Sequence, residues 1–270
     1  MRDTAITKVV EHTSRTTVVK IKPLMDLHKA ARTCDIREFK RFIADPDPFT
    51  FYFTNGDLFD AILFNDKRYS RSGDGTIAAI DEVIDHEVNE MVSMLAPIKD
   101  RIIAIGHGNH EDTITKRCGT NPSKRLAEAL GVPYGGYSYW IRFVLIRYGT
   151  RDTTDFFVTH GFGGGTRTEG GSITKYAKFA DRFDADVVVV GHDHRKQYVK
   201  YPVLYMSQTK VPKLMSKSKV VVLGGSWKKA YSPDTSATWE ETKGFPAAEI
   251  GGVTIEINPR ENGHRISVLM

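Results

Sequence analysis

The feature that most constrains the fold of this chain is a series of short apolar runs, each followed by glycine or polar residues. Runs such as FTFYF in residues 49–53, RIIAI in 101–105 and VVVV in 187–190 are rich in β-branched or aromatic residues and predict strands. Helical patterns alternate with such runs through the first two-thirds of the chain, and strands dominate the end. This order predicts an α/β fold, a mixed β-sandwich flanked by helices, rather than a simple doubly wound sheet.

The predicted elements follow from periodicity and from their breakers. Apolar spacing predicts helices at 36–43, 74–96, two within about 112–130, and 172–184. Strands are predicted over 16–26, 49–54, 101–105, 137–148, 153–160, 185–190, 198–206, 218–223, 251–257 and 264–269. Residues 1–15 are polar and are expected to form a loose N-terminal arm. No repeat or linker divides the chain, so residues 1–270 are expected to form a single domain.

Composition indicates the class of partner and the cellular compartment of the protein. Lysine and arginine exceed aspartate and glutamate by 38 − 33 = 5, a mild basic excess that suits a polyanionic partner. Cys34 and Cys118 form no CxxC pair, which indicates reduced thiols in a cytoplasm. The N-terminus has no apolar segment of signal-peptide length, and no run approaches the length of a membrane span. We therefore expect a cytoplasmic protein with no membrane partner.

Five predicted strands in chain order end in residues that could bind metal. These residues are Asp26 and His28, Asp57, Asn109 and His110, His160, and His192 and His194. Ligands of α/β sheets bind at the carboxyl ends of strands, so the five ends are expected to converge. Imidazole with carboxylate suits Mn, Fe, Zn or Ni better than Ca or Mg. The constellation therefore predicts two divalent transition-metal ions.

Spacing refines this prediction. Asp26 and His28, like His192 and His194, are two residues apart, so a strand would direct both side chains of each pair to one side. The carboxylate of Asp57 could bridge two ions about 3.5–4 Å apart, a separation that suits displacement at phosphorus.

The ordered motifs DLH, GDLFD, GNHE, HG and GHDH, spanning residues 26–194, resemble those of the calcineurin-like metallophosphoesterase superfamily. The resemblance implies a four-layer α/β/β/α fold and two metals, with Mn²⁺ favoured and Fe, Zn or Ni as alternatives. By the same resemblance, Asp26, His28 and His194 hold one metal, Asn109, His160 and His192 hold the other, and Asp57 bridges them. A bridging hydroxide would attack the phosphoester.

The resemblance also separates His110 from the ligands. It implies that His110 faces the substrate, steadies the phosphoryl oxygens and helps the leaving oxygen to depart. Gly106 and Gly108 are expected to allow a sharp turn that aims Asn109 and His110.

Other residues near the motifs are not assigned as ligands. Asp60 is interpreted as a residue behind the ligands or as a turn cap, and His107 as a loop residue. His86, on an acidic helix, is interpreted as part of a solvated face. The stretch HGFGGGTRTEGG in 160–171 lacks the ending of a P-loop and is expected to pass its backbone close to the metals. Arg167 could meet a substrate phosphate or be a plain surface residue.

The motif details favour a diester substrate. Phosphoprotein phosphatases of this superfamily carry Asp-Arg-Gly after the second motif, and here that place reads GDLFDAI. GDLFD is more similar to the nuclease branch, such as the double-strand-break-repair exonucleases. GNHED and HGFGGG are similar to compact phage-encoded members.

A basic stretch points to nucleic acid. Residues 196–229 contain eight lysines and no acidic residue, interleaved with Tyr198, Tyr201, Tyr205 and Trp227. Lysines on exposed strands also prevent edge pairing, which is the competing interpretation.

The sequence therefore predicts a di-metal phosphodiesterase, favoured as a nuclease with a nucleic-acid substrate. A phosphomonoesterase or nucleotide phosphatase with the same centre is the first alternative. A non-catalytic nucleic-acid-binding subunit is the second, although this chain has lost none of the ligand residues.

Overall fold

The computed structural model describes residues 5–60, 80–164, 166, 168–231, 237–259 and 265–270. Its strands are β1 (Ala5–Glu11), β2 (Val19–Leu24), β3 (Thr50–Thr54), β4 (Ile105–Gly106), β5 (Tyr134–Gly136), β6 (Ser138–Arg147), β7 (Thr150–Thr159), β8 (Val187–Val190), β9 (Lys196–Met206), β10 (Leu214–Gly224), β11 (Thr254–Ile257) and β12 (Ile266–Leu269). Its helices are α1 (Ile36–Ile43), α2 (Ile80–Leu95), α3 (Asn109–Cys118), α4 (Pro122–Leu130), α5 (Gly171–Ala180) and α6 (Trp239–Thr242), with a 3₁₀ turn at Ala96–Arg101.

The strands form two main sheets. The larger has the order β1-β6-β7-β8-β10-β9, and the smaller has the order β12-β11-β2-β3. Strands β7, β8 and β10 run parallel to one another, as do β2 and β3, whereas the outer pairs β9–β10 and β11–β12 are antiparallel. Parallel strands end at the same edge, so the loops after β2, β3, β7 and β8 can reach a common site.

Apolar side chains divide the fold into four layers. One cluster, including Ile21, Phe53, Phe156 and Val222, fills the space between the sheets. A second packs α1 to α4 on the outer face of the smaller sheet, and a third packs α5 on the larger sheet. Valines of β8 are buried on both faces, which explains the unbroken VVVV run. The predicted sandwich flanked by helices is confirmed.

Local sequence signals mark several helix ends. The Asp35 side chain accepts a hydrogen bond from Glu38 N–H at the start of α1, and the Asn121 side chain accepts one from Lys124 N–H at the start of α4. Gly131, with a φ of 70°, ends α4 in the left-handed region. The predicted helices at 36–43, 112–130 and 172–184 are confirmed within a few residues. Of the helix predicted over 74–96, residues 80–95 are helical and 74–79 lie outside the described residues.

Two expectations about strands are wrong in detail. Residues Ala5–Glu11 are no loose arm but an edge strand parallel to β6, with Val10 buried. An edge strand buries only part of one face, so its sequence is polar enough to resemble a tail. The RIIAI run begins in the 3₁₀ turn and then lies beside β3, where Ile103 N–H donates to Tyr52 O at 2.8 Å.

Two observations concern the predicted compartment of the protein. Cys34 and Cys118 are both free thiols. Within the described part of the chain, no helix has the length and apolar character that crossing a membrane requires. The cytoplasmic location and the single domain stay predictions.

Candidate metal centre

The predicted ligand residues lie together beyond the carboxyl ends of the strands. They form two groups whose ligand atoms lie within 4.8 Å of one another: Asp26, His28 and His194, and Asp57, His160 and His192. Asn109 contacts the second group from the first turn of α3. The tertiary structure thus brings together all seven residues, although their role as ligands stays a prediction.

In the first group, the rings of His28 and His194 and the carboxylate of Asp26 direct possible ligand atoms at one another. His28 Nε2 lies 3.0 Å from His194 Nε2, and His194 Nε2 lies 3.7 Å from Asp26 Oδ1. Asp26 Oδ1 is buried and has no hydrogen-bond partner, whereas its Oδ2 accepts from His192 N–H at 2.9 Å. A buried carboxylate oxygen left unpaired beside two imidazole nitrogens fits a cation.

In the second group, hydrogen bonds at the far side of each ring set the tautomers. His160 Nδ1–H donates to Asn55 O at 3.0 Å, and His192 Nε2–H donates to Gly163 O at 2.6 Å. The inward nitrogens, His160 Nε2 and His192 Nδ1, lie 2.9 and 2.8 Å from Asn109 Oδ1. In the neutral rings these inward atoms are all acceptors, and a shared cation would satisfy them.

Asp57 lies between the two groups and is almost fully buried. Its Oδ2 is 3.3 Å from His160 Nε2 and 3.9 Å from His28 Nε2. Its Oδ1 accepts a hydrogen bond from the His110 N–H at 2.9 Å. One oxygen therefore faces both groups while the other is held by the backbone, so Oδ2 is the atom that would serve the bridging role expected of Asp57.

The backbone at the site is held in an uncommon conformation. Asp26, His28, Asp57, His192 and His194 all have φ between 48° and 70°. Such values are rare for residues other than glycine and cluster at functional sites. They also correct the expected strand-like spacing, because β2 ends at Leu24 and β8 at Val190, before the ligands begin.

The two histidines of the GHDH motif consequently do not stay together. His192 joins Asp57 and His160, whereas His194 joins Asp26 and His28. The left-handed loop, not a pleated strand, directs them.

His110 is buried next to both Asp57 and His28. Its Nε2 lies 4.0 Å from Asp57 Oδ2, its Nδ1–H donates to Asp60 O, and its ring meets that of His28 edge-on at 4.6 Å. Asp57, His28 and His110 also form a third group of possible ligands. This position, at the edge of both groups, agrees with the predicted contact to substrate and also makes His110 a possible ligand.

The start of α3 differs from the expected glycine turn. Asn109 and His110 are the first residues of the helix, and Gly108, at a φ of −115°, is its N-cap. Gly108 is required by close approach, since a Cβ there would lie 2.2 Å from Asp57 Oδ1. Gly106 is likewise confined, because its Cβ would lie 2.4 Å from Thr54 O.

Glu111 supports the loop that carries Asp57, a role that the sequence motifs did not indicate. Its fully buried carboxylate accepts hydrogen bonds from the backbone N–H of Asp57, Leu58 and Phe59, at 2.7–3.2 Å, and from Gly108 N–H at 3.0 Å. The sequence could have indicated this role, because Glu111 lies three residues after the N-cap. An acidic side chain at that position commonly accepts hydrogen bonds from the backbone at the helix start. Glu111 joins the second and third motifs.

Burial and charge shift the ionisation of the ligands in opposite directions. Burial lowers the pKa of His28 and takes that of His194 well below its usual value. Burial also disfavours the charged form of His160, but the Asp57 carboxylate outweighs this effect and raises the pKa of His160 to about 9. Burial likewise opposes ionisation of Asp57, yet the neighbouring His160 holds the pKa of Asp57 well below its usual value.

The residues near the motifs that were not assigned as ligands lie at different places in the structure. Asp60 Oδ1 accepts from His28 Nδ1–H at 3.1 Å, so Asp60 lies behind a predicted ligand, as one of its two interpretations required. His107 directs its backbone N–H to Gly136 O and its ring edge toward Tyr134. His86 is exposed on α2, as expected, and Arg167 lies outside the described residues.

The glycine-rich loop reaches the site through its backbone, as expected. In addition to the bond from His192 to Gly163 O, Lys175 Nζ donates to Phe162 O at 3.2 Å and to Gly164 O at 3.4 Å. The same ammonium lies 3.3 Å from Asp193 Oδ2. Lys175 therefore connects α5, the glycine loop and the GHDH loop.

Several lysines of the basic stretch in residues 196–229 form contacts within the protein. Fewer of them are therefore available to bind nucleic acid than the sequence suggested. Lys196 pairs with Glu249, Lys228 with Glu240 at 2.7 Å, and Lys229 with Asp35 at 2.8 Å. Lys219 is buried and donates to the carbonyls of Ala180 and Phe183.

Trp227 is 2% exposed and packs edge-on against Phe39. Trp227 was expected to stack on the bases of a nucleic acid. This expectation is wrong, because the ring is buried in the core of the protein.

Comparison with known proteins agrees with the motifs. Residues 26–196 match the family described as Calcineurin-like phosphoesterase. A comparison with curated proteins found no match.

Solved structures resemble the chain over most of its length. Vps29 from Chaetomium thermophilum is 16% identical, with 93% of this chain and 94% of that chain covered and a TM-score of 0.37. A metallophosphoesterase from Sphaerobacter thermophilus is 15% identical, with 92% and 87% covered and a TM-score of 0.38. A predicted phosphoesterase from Streptococcus pneumoniae TIGR4 is 13% identical, with 89% and 84% covered and a TM-score of 0.32.

Proposed function

Because this chain belongs to the calcineurin-like phosphoesterase family, we propose that it is a two-metal phosphodiesterase, a nuclease acting on nucleic acid. The observation that carries the proposal is the convergence of seven side chains into two groups that share the Oδ2 atom of Asp57. A single structural cation would need only one such group.

The donor sets fit two cations of the transition series. Asp26, His28 and His194 would hold one ion, and Asn109, His160 and His192 would hold the other. Mixed imidazole and carboxylate ligands favour Mn, Fe, Zn or Ni, and we propose Mn²⁺ as the ion that best supports activity. When bound, the two ions would polarise the phosphoryl oxygens and lower the pKa of a water molecule that attacks phosphorus.

The protein's own contribution is orientation of the ligands. Asp60 fixes the ring of His28, Asn55 O fixes that of His160, and Gly163 O fixes that of His192. Each of these hydrogen bonds leaves the opposite nitrogen of the ring facing the centre. Partners of this kind set both the tautomer and the basicity of a metal-binding histidine.

We propose that His110 acts on the leaving group. Its ring sits beside Asp57 and is held by the Asp60 carbonyl, at the edge of both groups. From that place a protonated His110 would donate to the departing oxygen, a role that matters most when the leaving group is a poor alkoxide.

The residues at the end of the GDLFD motif support the preference for a diester. Leu58 and Phe59 are buried and their N–H groups bond to Glu111, so these two positions offer the substrate no cation. The next residues are Asp60, Ala61 and Ile62, where the protein phosphatases carry Asp-Arg-Gly, and the last two lie outside the described residues. Without that arginine, a singly charged diester is easier to accommodate than a doubly charged monoester.

The test is an assay of the metal-free protein reconstituted with Mn²⁺, using bis-p-nitrophenyl phosphate, p-nitrophenyl phosphate, and labelled DNA and RNA. We expect the diester and one of the nucleic acids to be hydrolysed and the monoester to be a poor substrate. Faster hydrolysis of the monoester would establish the phosphatase alternative. Binding of nucleic acid with no hydrolysis of any ester would indicate a non-catalytic subunit.

A further inference from the structure

The hairpin formed by β9 and β10 extends past the start of its neighbour β8, at the end of the larger sheet opposite the metal centre. Strand β8 pairs with β10 only over Val220–Leu223, whereas β9 pairs with β10 over its whole length, from Leu214 to Gly224. Residues 214–219 therefore have β9 as their only strand neighbour among the described residues. Of these, 214–216 are exposed, 217 and 218 are half-buried and Lys219 is buried, so about 10 Å of β10 lacks cover.

The projecting part carries large apolar side chains that nothing in the described structure covers. Leu204, Met206, Val211 and Leu214 are 64%, 57%, 71% and 67% exposed. Residues directly opposite in an antiparallel pair share a face, and Met206 opposes Leu214 while Tyr205 opposes Met215. Tyr205 and Met215 are also exposed, so both faces of the hairpin and its turn are apolar.

Positive charge accompanies this apolar tip. Lys210 and Lys213 are exposed in the turn, and no ion pair with either is found among the described residues. The sequence contains no acidic residue between 196 and 229 that could neutralise them locally. The lysines nearer the body differ, since Lys217 pairs with Asp184.

We propose that this tip docks on a lipid surface with anionic headgroups. A membrane interface surrounds an inserted tip, which suits apolar groups on both faces and at the turn, and its phosphates attract the flanking lysines. Such docking departs from the expectation of no membrane partner, which rested on the lack of a spanning run and of a signal peptide; docking at the interface requires neither.

Two other occupants fit less well. A second copy of the chain would bring two unpaired basic tips together, and Pro202 has no N–H to donate along the free edge of β9. Nucleic acid would engage the lysines but would leave Leu204, Met206 and Leu214 exposed.

The orientation leaves the metal centre accessible. Lys196 and Gly224 lie at the end of the hairpin next to the GHDH loop, and the turn lies at the other end of eleven-residue strands, about 35 Å away. Docking by the tip therefore directs the centre away from the membrane, and the proposal is independent of which ester is hydrolysed.

The experiment is flotation of the full chain with vesicles of phosphatidylcholine alone or of phosphatidylcholine containing phosphatidylglycerol. We expect binding only to the anionic vesicles. Lys210→Gln with Lys213→Gln should weaken it about thirtyfold, and Leu204→Ser, Met206→Ser and Leu214→Ser together should weaken it about tenfold or more. The control is Val83→Ser, which removes an exposed apolar side chain from α2, outside the hairpin, and should leave binding unchanged.

A second measurement removes dependence on the folding of the triple variant. Val211→Trp should show a blue shift of its emission with anionic vesicles and none with neutral ones. No flotation, or flotation that survives both sets of substitutions, would overturn the proposal. Sedimentation showing a dimer that the triple variant abolishes, or DNA retention that the double lysine variant abolishes without any vesicle binding, would assign the tip to the other occupants.

Discussion

At the scale of single residues, the two oxygens of Asp57 have different neighbours. Oδ1 is held by His110 N–H, and Oδ2 faces both ligand groups. We expect Asp57→Asn to lower turnover by more than loss of any terminal ligand such as His194. The loss should exceed the roughly 10–100-fold that removal of an outer-sphere partner costs. Turnover of the aryl diester and metal content by elemental analysis check this.

Asp112→Asn is the matched control, since Asp112 is a more exposed carboxylate in the first turn of α3 and pairs with Lys116. It should retain both metals and normal turnover. If Asp57→Asn also retains both, Asp57 is not the shared ligand.

His110 allows chemistry to be separated from metal binding. We expect His110→Ala to keep its metals and to lose activity roughly 10²–10⁴-fold, as is usual for a general acid. The loss should be larger for DNA, whose alkoxide leaving group needs a proton, than for bis-p-nitrophenyl phosphate. His86→Ala, which removes an exposed histidine from α2, is the control.

Two results would reassign His110. Loss of a metal from the variant would make His110 a ligand, in keeping with the third group that it forms with His28 and Asp57. Equal losses on both substrates with metals intact would favour stabilisation of the phosphoryl oxygens over proton donation.

At the scale of elements, the first turn of α3 joins two motifs through Glu111. Its carboxylate accepts four backbone N–H groups, and no amide side chain can do so, because an amide presents one oxygen and one donor. We expect Glu111→Gln to lower the free energy of unfolding by about 3 kcal/mol. Metal affinity should fall with it, because the loop that carries Asp57 loses its support. Urea denaturation and metal titration measure the two effects.

Glu128→Gln on α4 is the control for this change, since that carboxylate is exposed and makes only a surface pair with Lys124. A Glu111→Gln variant as stable as this control would show that the buried carboxylate is dispensable.

The glycine loop is held to α5 by Lys175. Lys175→Met keeps most of the side-chain volume but removes the bonds to Phe162 O and Gly164 O and the contact with Asp193. Because Gly163 O orients His192, we expect roughly tenfold weaker binding of the ion held by His192, as for loss of an outer-sphere partner.

The other ion should be unaffected, which a two-site calorimetric titration resolves. Lys178→Met, a change further along the same helix, should leave both sites unchanged. Equal weakening of both sites by Lys175→Met would mean that the whole centre had been disturbed.

At the scale of the whole molecule, the buried charges make stability depend on pH. The pKa of His160 is raised to about 9 from an ordinary 6.5, so its contribution is complete below pH 6.5 and is lost as the pH rises through 9. Burial also raises the pKa of Asp26 well above its ordinary value, so this carboxyl likewise loses stability as the pH rises above its ordinary pKa. We expect the metal-free protein to lose on the order of 3 kcal/mol of stability across this range, from His160 alone.

Urea denaturation at a series of pH values in chelator measures this loss. The metal-loaded protein should show the opposite slope, because a cation takes the place of the His160 proton and binds more tightly as the pH rises. Metal-free protein whose stability rises from pH 6.5 to 9 would contradict the assignment of a charged His160–Asp57 pair.

Much of the architecture was accessible from local patterns. Periodicity located α1, α4 and α5 because helix faces and caps are encoded within a few residues, and the buried strands were marked by β-branched runs. The order of Asp, His and Asn residues at strand ends predicted that these side chains would meet, since parallel strands end at one edge, and the family resemblance set the seven predicted ligands apart from His110.

What the sequence could not provide were properties that depend on distant partners. The strand character of β1 depends on pairing with β6, the burial of Trp227 on α1, and the availability of Lys196 and Lys228 on Glu249 and Glu240.

The sequence by itself thus determined the class of fold and the residues of the candidate centre, because both follow from short-range pattern and strand order. The resemblance to the metallophosphoesterases already implied how those residues divide between two metals, and only the tertiary structure showed how the backbone achieves that division. Left-handed loops send His192 and His194 to different groups, and Glu111 ties the loop carrying Asp57 to α3. Hydrogen bonds and packing between residues far apart in the chain have no local signature, so these arrangements appear only once the chain is folded.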